Sequence, residues 1–236
     1  MPLLLVVIAM ALTIKTDLAN RQNYGSARTA ADIKYIVIHY TGNDGDHDEG
    51  NATYFKNNVV KASAHYFVDD DSVTVSVPDL FTAWSVGGTK WKDCATTGGG
   101  TMYGKITNAN SISVEMCDTL RNGTLMATEK TMANTAELVK SLMKKYNVDI
   151  DHIYRHFDVT GKHCPAYFMN ATAWAEFKAR LNDDSVLKDI PDWALPTVKK
   201  LIANGSLKGD TAGNLNLSHD MLRMLVINDR EGLYGK

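Results

Sequence analysis

Seven histidines and three cysteines are the residues of this chain best suited to hold a metal ion. His39 closes an apolar run, where a side chain can project from a sheet edge. Downstream, His156 and Cys164 flank a turn containing Gly161, which lets the chain fold back and bring both side chains together. Imidazole and thiolate are good zinc ligands. Three protein ligands with a fourth position left for water define a catalytic rather than a structural site. Cys164 would then be thiolate, because a bound metal deprotonates it. Other readings stay open on the residues alone. A strand-terminal histidine is often structural, and a histidine eight residues before a cysteine arises by chance. His152 and His156, four apart, would form a metal pair only on a helix, and the pattern around them reads as extended.

Elements must carry these residues. Residues 33–40 form an apolar, β-branched run and read as a buried strand ending near His39. Residues 51–60 fit a short helix. Residues 64–69 and 72–77 fit two strands joined by an acidic turn at 69–71. Residues 85–110 are rich in Gly, Thr and Asn, with three glycines at 98–100, and read as a long loop of the kind that often serves function. Residues 111–117 alternate as a strand, 129–146 show helical spacing, 152–157 read as a strand, and 171–181 as a helix. Strands alternating with helices predict an α/β fold: a central mixed β-sheet flanked by helices. After a polar linker at 182–190, helices over 192–203 and 218–230 predict a small helical C-terminal module, with Ser218 as N-cap. The expected domains are therefore a lead-in at 1–28, a catalytic domain at 29–181 and a module at 191–236.

Composition bounds the function. The 236 residues carry 25 Lys+Arg against 27 Asp+Glu, a net charge of -2, with no basic cluster longer than a pair. That excludes a dedicated nucleic-acid binder. The apolar run 3–12 is too short to span a bilayer, which takes ~20 residues, so no stable membrane insertion is expected. It has the length of an export-signal core but lacks a preceding Lys or Arg, and Met10 offers a second start. Three cysteines are too few for a disulfide scaffold. Cys94 and Cys117 are the pair that could bridge in an oxidising compartment.

Four segments occur in order: Ile36 to Thr41 (IVIHYT), Ser63 to Val68 (SAHYFV), Asn110 to Glu115 (NSISVE) and His156 to Pro165 (HFDVTGKHCP). Together they resemble the type-2 N-acetylmuramoyl-L-alanine amidases, a zinc family that includes phage lysins and is related to the peptidoglycan recognition proteins. The resemblance covers about residues 33–180. It implies a Zn2+ cofactor, zinc at the sheet edge, and cleavage of the amide between the lactyl group of N-acetylmuramic acid and L-alanine. By position it implies His39, His156 and Cys164 as zinc ligands, Glu115 as catalytic acid–base group and Lys162 as catalytic lysine. The chemistry suits each role. Zinc acidifies a bound water, a carboxylate can relay its proton, and an ammonium can stabilise the oxyanion. Glu115 alternates with apolar neighbours and could instead face solvent, and Lys162 could be a solvated turn residue. Asp158 fits an orienting role better than metal binding. Many relatives carry a histidine after the Ala-Trp pair, where this chain has Ser85. His65 is expected to line the substrate groove or to be a hydrogen-bonded strand histidine. Trp84, with Trp91, borders the Gly-rich segment and could stack on a sugar or peptide face or join the core.

The tail from Asp192 to Leu225 resembles a single S-layer-homology repeat, which implies attachment to bacterial walls. A helical hairpin covering the catalytic domain, or a homodimer contact, are the other readings. The expected function is an endolysin-type peptidoglycan hydrolase acting at the bacterial cell wall, released from the cytoplasm or secreted. A non-catalytic peptidoglycan-binding module, or a hydrolase with Cys164 as nucleophile and His156 as base, are the alternatives.

Overall fold

The computed structural model describes residues 12–181, 187, 190–209 and 215–234. The expected signal run, apart from Leu12, lies outside the described residues. So do most of the expected linker 182–190 and part of the turn near 204–213. The chain divides into two units, Met1–Leu181 and Asn182–Lys236.

The first unit is α/β. Its strands are β1 (Ile14–Thr16), β2 (Tyr24–Ala27), β3 (Tyr35–Asp44), β4 (Tyr66–Val68), β5 (Val73–Val75), β6 (Phe81–Ala83), β7 (Ser111–Arg121), β8 (Thr124–Met126) and β9 (Ile153–Arg155). Its helices are α1 (Asp48–Asn57), α2 (Cys94–Thr97), α3 (Glu129–Tyr146), α4 (His156–Thr160) and α5 (Ala171–Ala179). The central sheet runs β1-β5-β4-β7-β3-β9, with β8 paired to β7, while β2 and β6 form a small antiparallel sheet. β7 is parallel to both β4 and β3, and β3 is parallel to β9. β3 lies between β7 and β9 and is buried on both faces, which explains the unbroken apolar run Ile36-Val37-Ile38 in its sequence.

The two faces of the sheet have different tasks. Ile36, Ile38, Ile112, Val114 and Met116 point to one face and form the main core with Met132, Ala136, Val139 and Leu142 of α3. These α3 positions recur at helical spacing, so one stripe is buried. Full burial of each such side chain contributes ~1.5–3 kcal/mol. The Thr128 hydroxyl caps α3 by accepting from Thr131 N–H at 3.0 Å. Asn147, at φ 52°, ends the helix in the left-handed region. The other face carries α1, whose Phe55 ring stacks on Phe67 at 5.5 Å. Asp48 at the start of α1 accepts from Ser72 and Thr74 hydroxyls at 2.9 and 2.8 Å, tying the helix to the β5 strand.

Several expectations shift. The helix expected over 51–60 occupies Asp48–Asn57, because Asp48 and Glu49 favour the positive end of the helix dipole. The strand expected over 152–157 stops at Arg155, and His156 opens α4. The strands expected over 64–69 and 72–77 each shorten to three residues. The Cys94–Cys117 bridge does not form, since both thiols are free. Cys94 Sγ donates to Thr160 O at 3.6 Å, whereas Cys117 Sγ accepts from Asn51 Nδ2 at 3.5 Å on the far side of β3 from β9.

The second unit contains α6 (Leu195–Ala203) and α7 (His219–Arg230). Leu187, Ile190, Ala194, Val198, Leu222 and Val226 form its own core. Ser218 caps α7 by accepting from Met221 N–H at 3.2 Å. Asp229 of α7 accepts from Thr197 and Lys200 of α6, both at 2.8 Å.

Candidate active site

Strand register builds the first half of the site. His39 of β3 pairs with Glu115 of β7, and Glu115 pairs with Phe67 of β4. Side chains alternate along a strand, so partners in register share a face. His39, Glu115 and Phe67 therefore form one row across the sheet, opposite the α3 core. Arg155 of β9 pairs with Ile38, which sets His156 next to His39 as α4 begins. Their ring centroids are 4.7 Å apart.

Asp158 fixes this junction. Its carboxylate accepts Arg155 N–H at 2.8 Å and the Arg155 guanidinium at 3.0 and 2.6 Å, which caps α4 at the residue before His156. Arg155 also donates to Phe168 O at 2.6 Å. Asp158 thus orients backbone, as expected. Gly161, at φ 89°, then turns the chain back. Cys164 O accepts Phe157 N–H at 3.0 Å, and Cys164 Sγ comes to 3.8 Å from His39 Nδ1.

The Gly-rich segment is a collar around α4. Gly100 N–H and Met102 N–H donate to the Phe157 and Asp158 carbonyls, and Trp91 N–H donates to Thr160 O. A Cβ on Gly99 would lie 2.6 Å from the Phe157 ring, so only glycine permits this close approach.

One ligand atom each from His39, His156 and Cys164 lies within 4.8 Å of the others, and all three residues are buried. Among the described residues, His39 Nε2, His156 Nδ1 and Glu115 Oε2 are buried without a hydrogen-bond partner. Orphaned buried polar atoms are costly and call for a partner. Burial holds the His39 and His156 imidazoles neutral: His39 falls well below its ordinary range, and His156 falls to about 4. Burial, with the Glu115 carboxylate beside it, pushes the Cys164 thiol far up. A neutral nitrogen pair and a thiol that needs a nearby cation to ionise form a donor set that fits zinc. The same burial, with Cys164 only 1% exposed, is the opposite of the accessible, electropositive setting a nucleophilic cysteine needs.

Glu115 Oε1 lies 3.6 Å from His39 Nδ1, and its side chain is 19% exposed. Burial raises its carboxyl to about 8, with the Lys162 ammonium opposing the rise. A cation among the three ligands would pull that value back. Glu115 and Lys162 line one groove of about 520 Å³, together with Tyr40, Asn51, Tyr54 and Phe67.

Neither His65 nor Trp84 lines that groove. His65 is 1% exposed and outside that groove. Its Nδ1 accepts from Ser113 N–H at 3.0 Å, and its Nε2 lies 3.1 Å from Phe81 O and 2.8 Å from Arg28 Nη2. Burial and the Arg28 charge lower it to about 3, so it is a neutral core histidine. Trp84 lines a separate cleft with Tyr103. Arg28 itself was not anticipated. It donates to the carbonyls of Asp79 and Ser111 at 2.9 and 2.7 Å, joining β6 and β7 ends that are far apart in sequence. No local signal could have revealed it. Asn51 and Tyr54 in the groove were also missed, although their spacing on a helix follows once α1 starts at Asp48.

An open α/β sheet thus brings together a His-His-Cys cluster that could hold a metal ion and, in a groove beside it, a carboxylate and a lysine, an arrangement suited to hydrolysis. The profile of the N-acetylmuramoyl-L-alanine amidase family matches residues 29–167. The amidase BlyA of Bacillus subtilis (strain 168) is 33% identical over 197 residues, covering 77% of this chain and 51% of its own length. CwlA of the same strain is 29% identical over 173 residues, covering 73% and 58%. The catalytic domain of XlyA superposes with a TM-score of 0.56 at 28% identity, covering 72% of this chain and 100% of that one. The chain belongs to the N-acetylmuramoyl-L-alanine amidase family. It spans about half the length of the curated relatives it matches. Among the described residues, no helix is long and apolar enough to cross a membrane.

Proposed function

We propose that this chain is a zinc-dependent peptidoglycan hydrolase that cleaves the amide between N-acetylmuramic acid and L-alanine, in the manner of an endolysin. The observation that carries the reading is the close approach of His39, His156 and Cys164 next to Glu115 and Lys162. His39, His156 and Cys164 would hold the ion. Zinc, when bound, would supply Lewis acidity and lower the pKa of a water toward ~7.

The chain's own residues do the rest. Glu115 accepts a proton from the attacking water and later delivers it to the leaving amine of L-alanine. Lys162 faces the same groove and stabilises negative charge that develops on the amide oxygen. Tyr40, Tyr54 and Phe67 supply apolar walls that position the peptide and limit water. Asp158 acts on His156 through the backbone of Arg155.

The substrate partner is then bacterial cell-wall peptidoglycan, and the site of action is the wall, reached by phage-type release or secretion. The second unit serves as an S-layer-homology-like wall-attachment module. Its exposed Met221, Met224 and Ile227 on α7 are the surface through which a homodimer would form.

The test is mass spectrometry of muropeptides after digestion, comparing the intact chain with Glu115→Ala. Lactyl-bearing glycan and peptides with a free L-alanine amine are expected from the intact chain alone. EDTA should abolish the activity and zinc restore it. Activity that survives thorough chelation would overturn the metal reading, and products cut elsewhere would overturn the amidase reading.

A further inference from the structure

The first unit holds a second cleft of about 470 Å³, within the ~300–1,000 Å³ of small-molecule sites. Trp84, Tyr103, Ile106 and Asn108 line it, with Gly87 and Gly88. None of these six residues belongs to the Glu115 groove. No Lys, Arg, His, Asp or Glu lines the cleft, whereas the groove presents both Glu115 and Lys162.

Its polar and aromatic groups are fixed. Tyr103 is 44% exposed, yet its hydroxyl donates to Gly88 O at 3.2 Å, which holds the ring in place. Asn108 Oδ1 accepts the N–H groups of Ser85 and Val86 at 3.0 and 2.8 Å. That leaves Asn108 Nδ2 as a donor with no protein partner among the described residues. A Cβ on Gly87 would lie 3.2 Å from this nitrogen, so a side chain there would crowd it. An added Cβ on Gly88 or Gly104 would meet nothing within 4 Å, so the space beside Tyr103 is open.

A fixed aromatic face beside a fixed amide donor suits a ring-shaped ligand with apolar C–H faces and carbonyl acceptors. An N-acetylated hexosamine has both. The absence of charge matches the neutral sugar strand of peptidoglycan and not its stem peptide, whose carboxylates and amines fit the Glu115–Lys162 groove instead. We propose that this cleft is a glycan-strand subsite, separate from the groove that takes the scissile amide. The identity of the sugar polymer rests on the amidase reading above.

The test is an NMR titration of the full chain with the N-acetylglucosamine tetramer. Saturable shifts are expected at the amides of Gly87, Gly88, Tyr103 and Asn108. Tyr103→Ala and Tyr103→Leu should weaken binding ~3- to 10-fold, the size of one lost stacking contact. Tyr103→Phe keeps the ring but loses the hydroxyl that holds it, so it should lose less affinity than Tyr103→Ala, and retained spectral dispersion verifies that each variant folds. Absence of shifts in the cleft, equal affinity in Tyr103→Ala, or shifts produced by free stem peptide instead would each overturn the proposal. In a second arm, Tyr103→Ala should raise KM on intact sacculi ~3- to 10-fold and leave hydrolysis of a soluble one-sugar muramoyl peptide unchanged. An unchanged KM on sacculi would also overturn it. Failure of every variant and the wild type to cut either substrate would sink the amidase reading, while the titration would still decide the cleft.

Discussion

At the scale of single residues, the site separates chemistry from support. Glu115 and Lys162 line the groove, whereas Asp158 and His65 work through backbone and packing. Glu115→Gln should take up as much zinc as the intact chain, measured by elemental analysis, and lose ~100- to 10,000-fold in kcat. Lys162→Ala should lose ~100- to 1,000-fold in kcat with little change in KM, as expected for a donor used mainly in the transition state. His65 makes a different prediction. Its folded value of about 3 lies below the ordinary 6.5, so the unfolded chain takes up the proton first as pH falls. Stability is therefore lost from about pH 6.5 downward, at up to about 1.4 kcal/mol per pH unit. In His65→Gln that contribution is gone. The urea-unfolding gap between wild type and variant should shrink by about 2 kcal/mol between pH 7.5 and pH 5. A constant gap would mean that His65 is not held neutral.

At the scale of elements, the sequence discloses what periodicity encodes and conceals what tertiary contact decides. The helix over 129–146 was legible to the residue, because Met132, Ala136, Val139 and Leu142 mark one stripe. The strand carrying His39 was legible as an apolar run, but its polar extension through Asp44 was not. That extension depends on Asp118 accepting Gly42 N–H at 2.9 Å and on Asp44 accepting Leu120 N–H at 2.7 Å. β1, β2, β6 and β8 are too short to show alternation. The candidate ligand triplet was suggested by spacing and sharpened by resemblance, while His65 kept two readings because burial leaves no mark on one residue, and its buried hydrogen bonds favour the second. The collar around α4 supplies an element-scale test. Gly161 sits at φ 89°, and a Cβ there would lie 2.2 Å from Cys94 Sγ. Gly161→Ala should cost about 2–5 kcal/mol, combining left-handed strain with overpacking. Gly45→Ala, at φ 68° with nothing within 4 Å, should cost only about 1–2 kcal/mol. Equal losses in denaturant midpoint would show that the collar is loosely packed.

At the scale of the whole molecule, the two units have separate cores that share no residue. A chain ended at Leu181 should therefore keep its kcat on soluble muropeptides and lose retention on intact walls in a sedimentation assay. Unchanged retention would remove the wall-attachment role of the tail. The triplet proposed to hold the ion carries one more consequence. Its residues come from β3, from α4 and from the loop beyond it, and His39 stands 125 residues before Cys164. No piece of the chain that stops short of residue 164 contains all three donors. An N-terminal fragment that stops before residue 164 should therefore bind no zinc and cut no muropeptide, whereas one that reaches Leu181 carries the whole triplet.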